Sequence, residues 1–577
     1  MESKAGSAQG VKLLHDQKAP MRDGIRLSTD IFLPRGGGSY PAIVHRTPYE
    51  SMSSESIDWG IFWANHGYAA VVQDVRGRYE SEGVFGVRDQ SAGNDGYDTL
   101  DWIAGQSWCN GKIGTWGRSA GASVQWALGP LGNKNLTCMA PHVIGDDPYS
   151  DLFYVGGAFQ LNLAMLVAII FETNNAITQA GSSELFNNQK FMRGLPLIDM
   201  DLEAIGREIP YYRDWLEHGT YDDYWKSRSL RGQHDKISVP VFQQGGWYDP
   251  YPDAIFRQQK ALVESSKVSD ASKTHRVLIG PWTHDVPYSS VMGDIDFGPN
   301  GYIALREEEL RWFDHWLKDI DSGMLSEPPI RLFVMGRNEW RSESVWPLAQ
   351  TEFRPYYLHS GGRANSLNGN GTLTEEPPSS ESADSYDYDP EDPVQTVGGN
   401  HSIQYQSLNA EVPIVAGPVD QRAIERRDDV LVYTGPPLTE DIEVTGPIDV
   451  VLYAASSALD TDFTVKLIDV YPRGQAMNLS EGILRARFRG SFEKPEPLER
   501  GEVQEFRIRL TATSNVFKRE HRIRLDISSS NFPRFSRNLN TGEDVATGSR
   551  VEIARQTILH TSEYPSHVVL PVIPSGG

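Results

Sequence analysis

The sequence predicts an α/β fold in its first part and an antiparallel all-β domain in its last part. Up to about residue 140, short apolar segments alternate with segments of helix length, which is typical of a parallel sheet with crossover helices. Beyond about residue 500, apolar residues recur with a period of two, which is typical of antiparallel strands. The chain has 577 residues, more than one hydrophobic core usually serves, so we expect more than one domain.

The first elements are a β-hairpin and two buried parallel strands. The hairpin is predicted at residues 21–30, because an Asp-Gly dipeptide favours a tight turn and apolar residues alternate with polar ones after it. Apolar runs at 42–44 and 68–73 each pass directly into a polar loop, as buried parallel strands do. The connecting helices are predicted at residues 57–66 and 93–105.

A glycine-flanked serine, Ser119, follows the next predicted strand. Residues 112–116 are partly apolar, residues 117–121 read Gly-Arg-Ser-Ala-Gly, and the helix-compatible segment after them stops at Gly129-Pro130. This is the nucleophile elbow of α/β-hydrolases, in which small neighbours allow a strained turn that presents the serine hydroxyl at the edge of the sheet. The pattern makes Ser119 a candidate nucleophile, and a helix N-cap is the alternative role.

Between about residues 144 and 238, helix-length segments rich in aromatic residues replace the short strands. We predict an inserted helical cap here. Its longest apolar run, residues 161–171, has about half the length that a membrane span needs and is predicted to be a buried helix. The aromatic residues of this segment include Phe153, Tyr154, Phe159, Phe171, Tyr211, Tyr212, Trp215, Tyr221 and Trp225.

Strands return after the cap, at residues 239–242 and 276–279, and an amphipathic helix with Leu310, Phe313, Trp316 and Leu317 on its apolar face follows them. A loop near a domain boundary is predicted at residues 361–385, which are rich in Gly, Asn, Ser, Thr and Pro. The strands of an antiparallel β-sandwich are predicted at residues 448–453, 463–470, 506–510, 523–527 and 568–573.

The composition limits the classes of partner. With 54 basic against 77 acidic side chains, the formal charge is −23, so the chain lacks the basic footprint that nucleic acids and anionic membranes require. The two cysteines, Cys109 and Cys138, allow one bridge or two buried thiols, and we favour two structural thiols. No zinc-binding spacing or phosphate loop occurs, so neither a metal nor a cofactor is predicted. A cytoplasmic location is expected, because no signal peptide or membrane span is apparent, and the oligomeric state is left open, a homodimer included.

A serine nucleophile needs an imidazole to take its proton and a carboxylate to orient that imidazole. His284 follows the predicted strand 276–279 across a Gly-Pro-Trp turn, and Asp249 follows the strand and glycines before it. The order Ser119, Asp249, His284 is the order that α/β-hydrolases use. The alternative role of His284 is a hydrogen bond to a loop carbonyl. The carboxylates that compete with Asp249 are Asp253, Asp285, Asp294 and Asp296.

An oxyanion also needs hydrogen-bond donors. The backbone N–H of Ala120, the residue after the nucleophile, is one candidate. Tyr49 lies in the loop after an early strand and could offer its hydroxyl, but a tyrosine beside a proline is by default a packing residue.

Several longer motifs occur in one order along nearly the whole chain. They are Met21-Arg22-Asp23-Gly24, Arg46-Thr47-Pro48-Tyr49, Gln73-Asp74-Val75-Arg76-Gly77-Arg78, Trp108-Cys109-Asn110-Gly111-Lys112-Ile113-Gly114, Gly246-Trp247-Tyr248-Asp249, Gly280-Pro281-Trp282-Thr283-His284, Arg427-Asp428-Asp429-Val430-Leu431, Asp460-Thr461-Asp462-Phe463 and Ser528-Ser529-Ser530-Asn531-Phe532-Pro533. In these motifs the sequence resembles the cocaine esterase / X-prolyl dipeptidyl-peptidase-like family of α/β-hydrolases, which includes α-amino-acid ester hydrolases and glutaryl-cephalosporin acylases.

The resemblance implies an α/β-hydrolase domain with an inserted helical cap and a C-terminal jelly-roll-like β-sandwich. The corresponding boundaries are 1–143 and 239–350 for the hydrolase domain, 144–238 for the cap and 351–577 for the sandwich. It further implies a triad of Ser119, Asp249 and His284, and an oxyanion hole formed by the Ala120 N–H and the Tyr49 hydroxyl.

The elbow departs from the family pattern. The family usually reads Gly-x-Ser-Tyr-x-Gly, whereas this chain has Ala120 in place of the tyrosine and Ala122 in place of the last glycine. The backbone donor survives this change, but the missing ring reshapes the pocket beside the nucleophile. Predicted strands begin near residue 21, without the extra N-terminal domain common in the X-prolyl peptidases, which favours the esterase-like branch.

We therefore predict a serine hydrolase that cleaves a carboxylic ester of a small organic molecule through an acyl-enzyme. The cap aromatics together with Trp247, Tyr248 and Tyr251 are predicted to shape the substrate pocket. Two alternatives stay open. One is acyl transfer or amide and aminopeptide cleavage by the same triad, and the other is a catalytically silent binding protein.

Overall fold

Two β-rich units, each with its own apolar core, make up the fold. The computed structural model describes residues 10–88, 91–174, 189–284, 289–402 and 415–574. The first unit contains a ten-stranded sheet, and the second contains an eleven-stranded, mainly antiparallel sheet that folds into a sandwich.

The strands of the first unit, in chain order, are β1 (Val11–Pro20), β2 (Arg26–Pro34), β3 (Tyr40–Thr47), β4 (Ala69–Asp74), β5 (Cys109–Arg118), β6 (Leu136–His142), β7 (Tyr154–Val155), β8 (Ala158–Phe159), β9 (Phe242–Gly246), β10 (Arg276–Gly280), β11 (Val291–Met292), β12 (Ile295–Asp296), β13 (Ile330–Val334) and β14 (Glu339–Glu343). The α-helices are α1 (Ser54–Asn65), α2 (Ser91–Ala104), α3 (Ala120–Leu128), α4 (Leu161–Glu172), α5 (Gln189–Met192), α6 (Met200–Ile205), α7 (Pro210–Glu217), α8 (Asp223–Lys226), α9 (Pro252–Ser265), α10 (Ala271–Thr274) and α11 (Leu305–Lys318).

The order of the first sheet brings four loops to one edge. Its strands lie in the order β1-β2-β4-β3-β5-β6-β9-β10-β13-β14, and those from β4 to β13 are parallel. The carboxyl ends of parallel strands meet at the same edge of a sheet, where ligands bind in open α/β folds. The loops after β3, β5, β9 and β10, which carry Tyr49, Ser119, Asp249 and His284, therefore lie along this edge.

The sandwich strands are β15 (Glu352–His359), β16 (Thr372–Thr374), β17 (Asp384–Tyr388), β18 (Leu431–Thr434), β19 (Ile442–Ser456), β20 (Asp462–Val470), β21 (Ala476–Arg485), β22 (Gln504–Phe517), β23 (Arg522–Ser528), β24 (Ala554–Leu559) and β25 (His567–Ile573). The sandwich contacts the loop and helix after β9. The Nδ2 of Asn400 donates to the Trp247 carbonyl at 2.5 Å, and the Ala512 N–H donates to the Asp253 carboxylate at 2.7 Å.

Most predicted elements are confirmed. The hairpin, the two early strands with their helices, the buried apolar helix α4, the amphipathic helix α11 and the five predicted sandwich strands all occur. Cys109 and Cys138 are both unbonded thiols, as predicted. The residue limits of the cap and the two domains stay predictions. Within the described ranges, no helix combines the length and the apolar character that crossing a bilayer would require.

Three sequence-based limits are wrong. The first strand of the hairpin begins at Val11, earlier than predicted, because β1 pairs with β2 along nearly its full length. The predicted loop at 361–385 contains β16 and the start of β17, which pair with neighbouring strands. The strand predicted at 239–242 is β9, Phe242–Gly246, whose two glutamines and two glycines pair in register with β10. In each case backbone pairing across the sheet overrides the local apolar pattern.

Candidate active site

Ser119 occupies a strained turn between β5 and α3. Its φ is 53° and its ψ is −123°, a combination that non-glycine residues rarely adopt. Such strain persists only where the surrounding structure enforces it, and it is concentrated at functional sites.

The flanking glycines explain how the turn fits. A Cβ atom on Gly117 would lie 2.6 Å from the Gly121 carbonyl oxygen, which is closer than carbon and oxygen can approach. A Cβ atom on Gly121 would lie 3.2 Å from Nε2 of His45, a tight contact. The turn therefore requires glycine at position 117 and favours glycine at position 121.

The N-cap alternative for Ser119 is wrong. Ser119 stands at the N-cap position of α3, but its side chain makes no capping hydrogen bond. Its backbone N–H donates to the His142 carbonyl at 3.1 Å, which ties the turn to the end of β6. Ser119 lines a cavity together with Tyr49 and His284.

His284 and Asp249 form a hydrogen-bonded pair beside this cavity. Nδ1 of His284 lies 2.9 Å from Oδ1 of Asp249, and since a carboxylate only accepts, the imidazole donates. Asp249 is fully buried, and 13% of the His284 side chain is exposed. The alternative role of His284, a bond to a loop carbonyl, is therefore not the one its Nδ1 plays.

The loops that carry Asp249 and His284 are bonded to each other. The Trp247 N–H donates to the Gly280 carbonyl and the Tyr248 N–H donates to the Trp282 carbonyl, both at 2.9 Å. A Cβ atom on Gly246 would lie 2.1 Å from the Trp282 carbonyl oxygen, so glycine is required for this approach. The close fit of the two loops fixes the distance between the carboxylate and the imidazole.

The competing carboxylates that the structure describes have other partners. Asp253 accepts from the Ala512 N–H of the sandwich, Asp294 from the Asp420 N–H at 3.1 Å and Asp296 from the Ser290 hydroxyl at 2.7 Å. Asp285 lies outside the described residues. Asp249 is thus the described carboxylate that hydrogen-bonds His284.

Tyr49 and Ala120 both contact the nucleophile region. Burial raises the pKa of the Tyr49 phenol, and hydrogen bonding with the Ser119 side chain and with the Ala120 N–H offsets part of the rise. The phenol thus stays protonated at neutral pH and can donate. Its backbone is held by a 3.0 Å bond from the Tyr49 N–H to the Thr47 hydroxyl. The phenol and the Ala120 N–H therefore lie beside Ser119, where an oxyanion hole requires its donors.

The cavity has a volume of about 330 Å³ and a largely apolar wall. Helix α4 of the cap contributes much of this wall. The apolar lining residues from this helix are Leu163, Leu166, Val167, Ile170 and Phe171. The volume is at the lower end of the range of small-molecule sites.

The predicted pocket residues are only partly in place. Tyr251 lines the cavity, but Trp247 and Tyr248 do not. The Trp247 indole N–H donates to the Phe333 carbonyl at 2.7 Å, and the Tyr248 hydroxyl donates to the Asn478 carbonyl of the sandwich at 3.4 Å. Both rings are therefore directed into the protein, and their predicted contact with substrate is wrong.

The prediction for the cap aromatics needs a similar correction. Phe171 lines the cavity, whereas the other aromatic residues named for the cap do not. They pack on one another, as Phe153 does on Trp215 with ring centres 4.0 Å apart. The aliphatic run in α4 forms the wall instead, and its continuous apolar character was the signal for it in the sequence.

Sequence reasoning missed the charged part of the wall. Four arginines line the cavity, Arg46, Arg76, Arg88 and Arg228, against one described carboxylate, Asp95. Arg46 and Arg76 lie in two of the quoted motifs, which do not indicate a cavity wall, and Arg88 and Arg228 belong to none of those motifs. Among the described residues, no cluster of three or more His, Cys, Asp or Glu is arranged to hold a metal ion.

Two family models match the chain. Residues 23–285 match the model described as X-Pro dipeptidyl-peptidase (S15 family), and residues 322–569 match the X-Pro dipeptidyl-peptidase C-terminal non-catalytic domain. The chain is 37% identical to the cocaine esterase of Rhodococcus sp. (strain MB1 Bresler) over 96% of its own length and 97% of that protein.

Solved structures share the fold over nearly the whole chain. An aminopeptidase from a marine sediment Thaumarchaeota archaeon is 25% identical with a TM-score of 0.85, covering 100% of this chain and 99% of that one. An α-amino acid ester hydrolase is 26% identical with a TM-score of 0.79, covering 99% and 98% of the two chains. The likeness extends through both β-rich units.

Proposed function

We propose that this chain, which belongs to the X-Pro dipeptidyl-peptidase (S15) family together with the cocaine esterase, is a serine esterase that cleaves a small carboxylic ester through an acyl-enzyme. The observation that carries the proposal is the Asp249–His284 pair, which lies at the wall of the same cavity as a serine in a strained elbow. These are the parts that nucleophilic acyl transfer needs.

In the first half-reaction, the Ser119 hydroxyl attacks the ester carbonyl carbon while His284 takes the hydroxyl proton. Since Nδ1 of His284 is engaged by Asp249, Nε2 is the nitrogen that receives it. Asp249 orients the ring and stabilises its protonated form. The tetrahedral intermediate collapses when the C–O bond breaks, and His284 gives its proton to the departing alcohol.

In the second half-reaction, water attacks the acyl-enzyme carbonyl. His284 takes a proton from this water and gives it to the Ser119 oxygen as the bond between that oxygen and the acyl carbon breaks. The acid is released and the Ser119 hydroxyl is restored. In both tetrahedral intermediates, the negative oxygen receives hydrogen bonds from the Ala120 N–H and the Tyr49 phenol. The position of α3 adds the favourable field of a helix N-terminus.

An ester substrate fits the cavity better than an aminopeptide does. An aminopeptidase needs negative charge in its pocket to hold the substrate ammonium group, whereas the charged side chains in the largely apolar wall of this cavity are mainly arginines. The one described carboxylate in the wall, Asp95, is bound at 2.6 Å by Arg76. A cytoplasmic location and a homodimer stay predictions.

The direct test compares one acid in two linkages. The purified protein is given the 4-nitrophenyl ester of butyric acid, the 4-nitroanilide of the same acid and an aminoacyl 4-nitroanilide. We expect turnover of the ester at a kcat/KM at least about 100-fold above either anilide. Comparable cleavage of the aminoacyl anilide would favour the peptidase alternative, and a transfer product formed at the expense of acid after adding an alcohol would favour acyl transfer.

A matched variant separates the nucleophile from other serines in the wall. Ser123 also lines the cavity, and its hydroxyl donates to the Ala120 carbonyl at 2.7 Å. The Ser123→Ala protein should keep ester hydrolysis within about 10-fold of the unchanged protein, because it retains the Ser119 hydroxyl and both oxyanion donors.

A further inference from the structure

The wall of the active-site cavity is positively charged although the chain as a whole carries −23. Within the part of the chain that the structure describes, Arg46, Arg76, Arg88 and Arg228 line it, and Asp95 is the only carboxylate. Such a local excess of cations in an acidic protein needs counter-charges, which come either from the protein or from a ligand.

Two of these arginines are bound within the protein. Arg76 donates to Asp95 at 2.9 Å through Nε and 2.6 Å through Nη2, and to Asp23 at 2.7 Å. Arg46 donates to the Ala92 carbonyl at 2.7 Å, and its Nη2 lies 4.0 Å from Asp95. The negative charge of Asp95 is thus shared between the guanidinium groups of Arg76 and Arg46.

Arg88 and Arg228 have neutral partners instead. Nη2 of Arg88 donates to the Gly145 carbonyl at 3.0 Å. Nη1 of Arg228 donates to the Tyr224 carbonyl at 2.9 Å, and its guanidinium lies 3.7 Å from the centre of the Tyr224 ring. In the described ranges, neither side chain forms an ion pair with a carboxylate, and each has further N–H donors for a ligand.

The acidic cluster nearest to Arg88 is paired with other side chains. Three aspartates of the segment 146–151 interact with Arg88 at longer range. Arg231 and Arg257 contact these three carboxylates directly, at distances from 2.6 to 3.7 Å. Arg88 is therefore the cation left on the cavity side of the cluster.

The segments that carry the two arginines are joined by backbone contacts. Arg88 bonds to Gly145, and the next residue, Asp146, accepts a 2.9 Å bond from the N–H of Leu230, two residues beyond Arg228. Leu230 and Gly145 also line the cavity, whose other walls are largely aliphatic. An anion inside this cavity would be partly shielded from water, which strengthens its attraction to a guanidinium.

We propose that Arg88 and Arg228 bind a carboxylate of the substrate, so that the enzyme prefers small esters that carry a negative charge beside the scissile bond. The inference rests on the proposed esterase function and names its substrate class. A planar guanidinium matches a carboxylate in two parallel hydrogen bonds, which makes arginine the side chain suited to this recognition.

The test uses pairs of esters that differ in one carboxylate. The 4-nitrophenyl hemiester of succinic acid is compared with 4-nitrophenyl butyrate, which places the charge in the acyl part. The butyrate ester of 4-hydroxybenzoic acid is compared with that of 4-methylphenol, which places it in the alcohol part. We expect the charged member to have the higher kcat/KM in at least one pair.

Three variants assign this preference to its residues. Arg88→Gln and Arg228→Gln should each lower kcat/KM for the preferred charged ester by about 10- to 100-fold, and for its neutral partner by less than about 3-fold. Arg507→Gln, which removes the same charge from a side chain that is 76% exposed on the sandwich, should leave both values unchanged. Thermal unfolding of each variant checks that it is folded.

A second measurement needs no variant. Succinate should inhibit hydrolysis of the neutral ester at a concentration at least about 10-fold below that of butyrate. Equal inhibition by both acids, a neutral preference in both ester pairs, or an equal loss for charged and neutral esters in the two arginine variants would overturn the proposal. Failure of the esterase function itself is distinguishable, because then neither member of any pair is turned over.

Discussion

His284 and His560 each bind a buried aspartate, the first through Nδ1 and the second through Nε2, but of these two only His284 lines the described cavity. Asp249 and His284 lie 2.9 Å apart in the hydrolase unit, and Asp384 and His560 lie 2.8 Å apart in the sandwich. Ser360 donates to Asp384, and Ser119 lines the same cavity as His284. Acid, imidazole and hydroxyl therefore occur in both units, and their presence alone does not make a catalytic site.

The difference is in access and in the partner of the serine. His560 and Asp384 are both fully buried, whereas His284 is partly exposed at the wall of a cavity of about 330 Å³. In the sandwich, Ser360 donates to the carboxylate at 2.7 Å, so its hydroxyl stabilises the acid.

Ser119 differs from this serine in its backbone and its neighbours. It stands in a strained turn at a helix N-terminus, with a tyrosine hydroxyl and a backbone N–H beside it. We infer that the sandwich pair has a structural role and that the pair at the cavity is catalytic.

The largest expected effect separates the two serines. Ser119→Ala should lower kcat by at least about 10⁴-fold with little change in stability, because no other group supplies the nucleophile. Ser360→Ala should leave kcat within a few-fold and lower the thermal unfolding midpoint, because a buried carboxylate loses a donor. Steady-state kinetics and thermal unfolding of both variants check this. Comparable kcat for the Ser119 variant and the unchanged protein would contradict the proposal that Ser119 is the nucleophile.

Substitution of the two aspartates should show the same contrast, with a loss of kcat at Asp249 and a loss of stability at Asp384. Asp249→Asn should lower kcat by about 10³- to 10⁴-fold, since an amide can no longer fix the tautomer of His284 or stabilise its charged form. Asp384→Asn should leave kcat nearly intact but destabilise the sandwich by about 3 kcal/mol, because one partner of a buried pair is removed. Denaturant unfolding together with ester hydrolysis measures both, and a loss of kcat in the Asp384 variant with its fold intact would contradict the assignment.

A pair of tyrosines gives a smaller contrast. Tyr49→Phe should lower kcat by about 10²- to 10³-fold with KM little changed, because it removes one donor to the oxyanion. Tyr433→Phe removes a hydroxyl that donates to Asp384 at 2.8 Å and should affect stability alone. If Tyr49→Phe raised KM and left kcat unchanged, the phenol would bind substrate instead of stabilising the transition state.

The smallest effect concerns the pH dependence of stability. Burial raises the pKa of Asp384, but hydrogen bonds from His560, Ser360, Ala364 and Tyr433 outweigh it and hold that pKa below the ordinary value of 3.8. The pKa is depressed in the folded state, so the stability it contributes is present above the ordinary pKa and is lost as pH falls through the folded pKa.

The unfolding midpoints of the unchanged protein and of Asp384→Asn, measured from pH 3 to pH 7, check this. The difference between the two midpoints should narrow below about pH 4. A difference that stays constant across this range would show that the negative charge of Asp384 does not contribute to the stability of the protein.

The sequence predicts the elements of the site well where a local rule governs them. The elbow at Ser119 follows from the glycines that a strained turn demands, and the order of Ser119, Asp249 and His284 follows from loops at the ends of parallel strands. These features are properties of short segments, so they can be identified without the folded structure.

The wall of the cavity could not be predicted in this way. Trp247 adjoins the Asp249 loop, but its indole N–H donates to the Phe333 carbonyl, so the ring is directed inward, and nothing in the adjacent residues indicates that. Arg88 and Arg228 line one cavity although they are far apart in sequence, because the segments of Gly145 and Leu230 are in contact. Tertiary contacts of this kind decide which side chains face a cavity and which arginines have no carboxylate partner.

The most direct measurement of the central claim is the site of reaction with a fluorophosphonate. The folded protein is treated with the reagent, residual ester hydrolysis is measured, and peptides are examined by mass spectrometry. We predict one adduct, on the peptide that contains Ser119, with loss of activity in proportion to labelling and none on the Ser360 peptide. An adduct on another residue, or full activity with Ser119 labelled, would contradict the account.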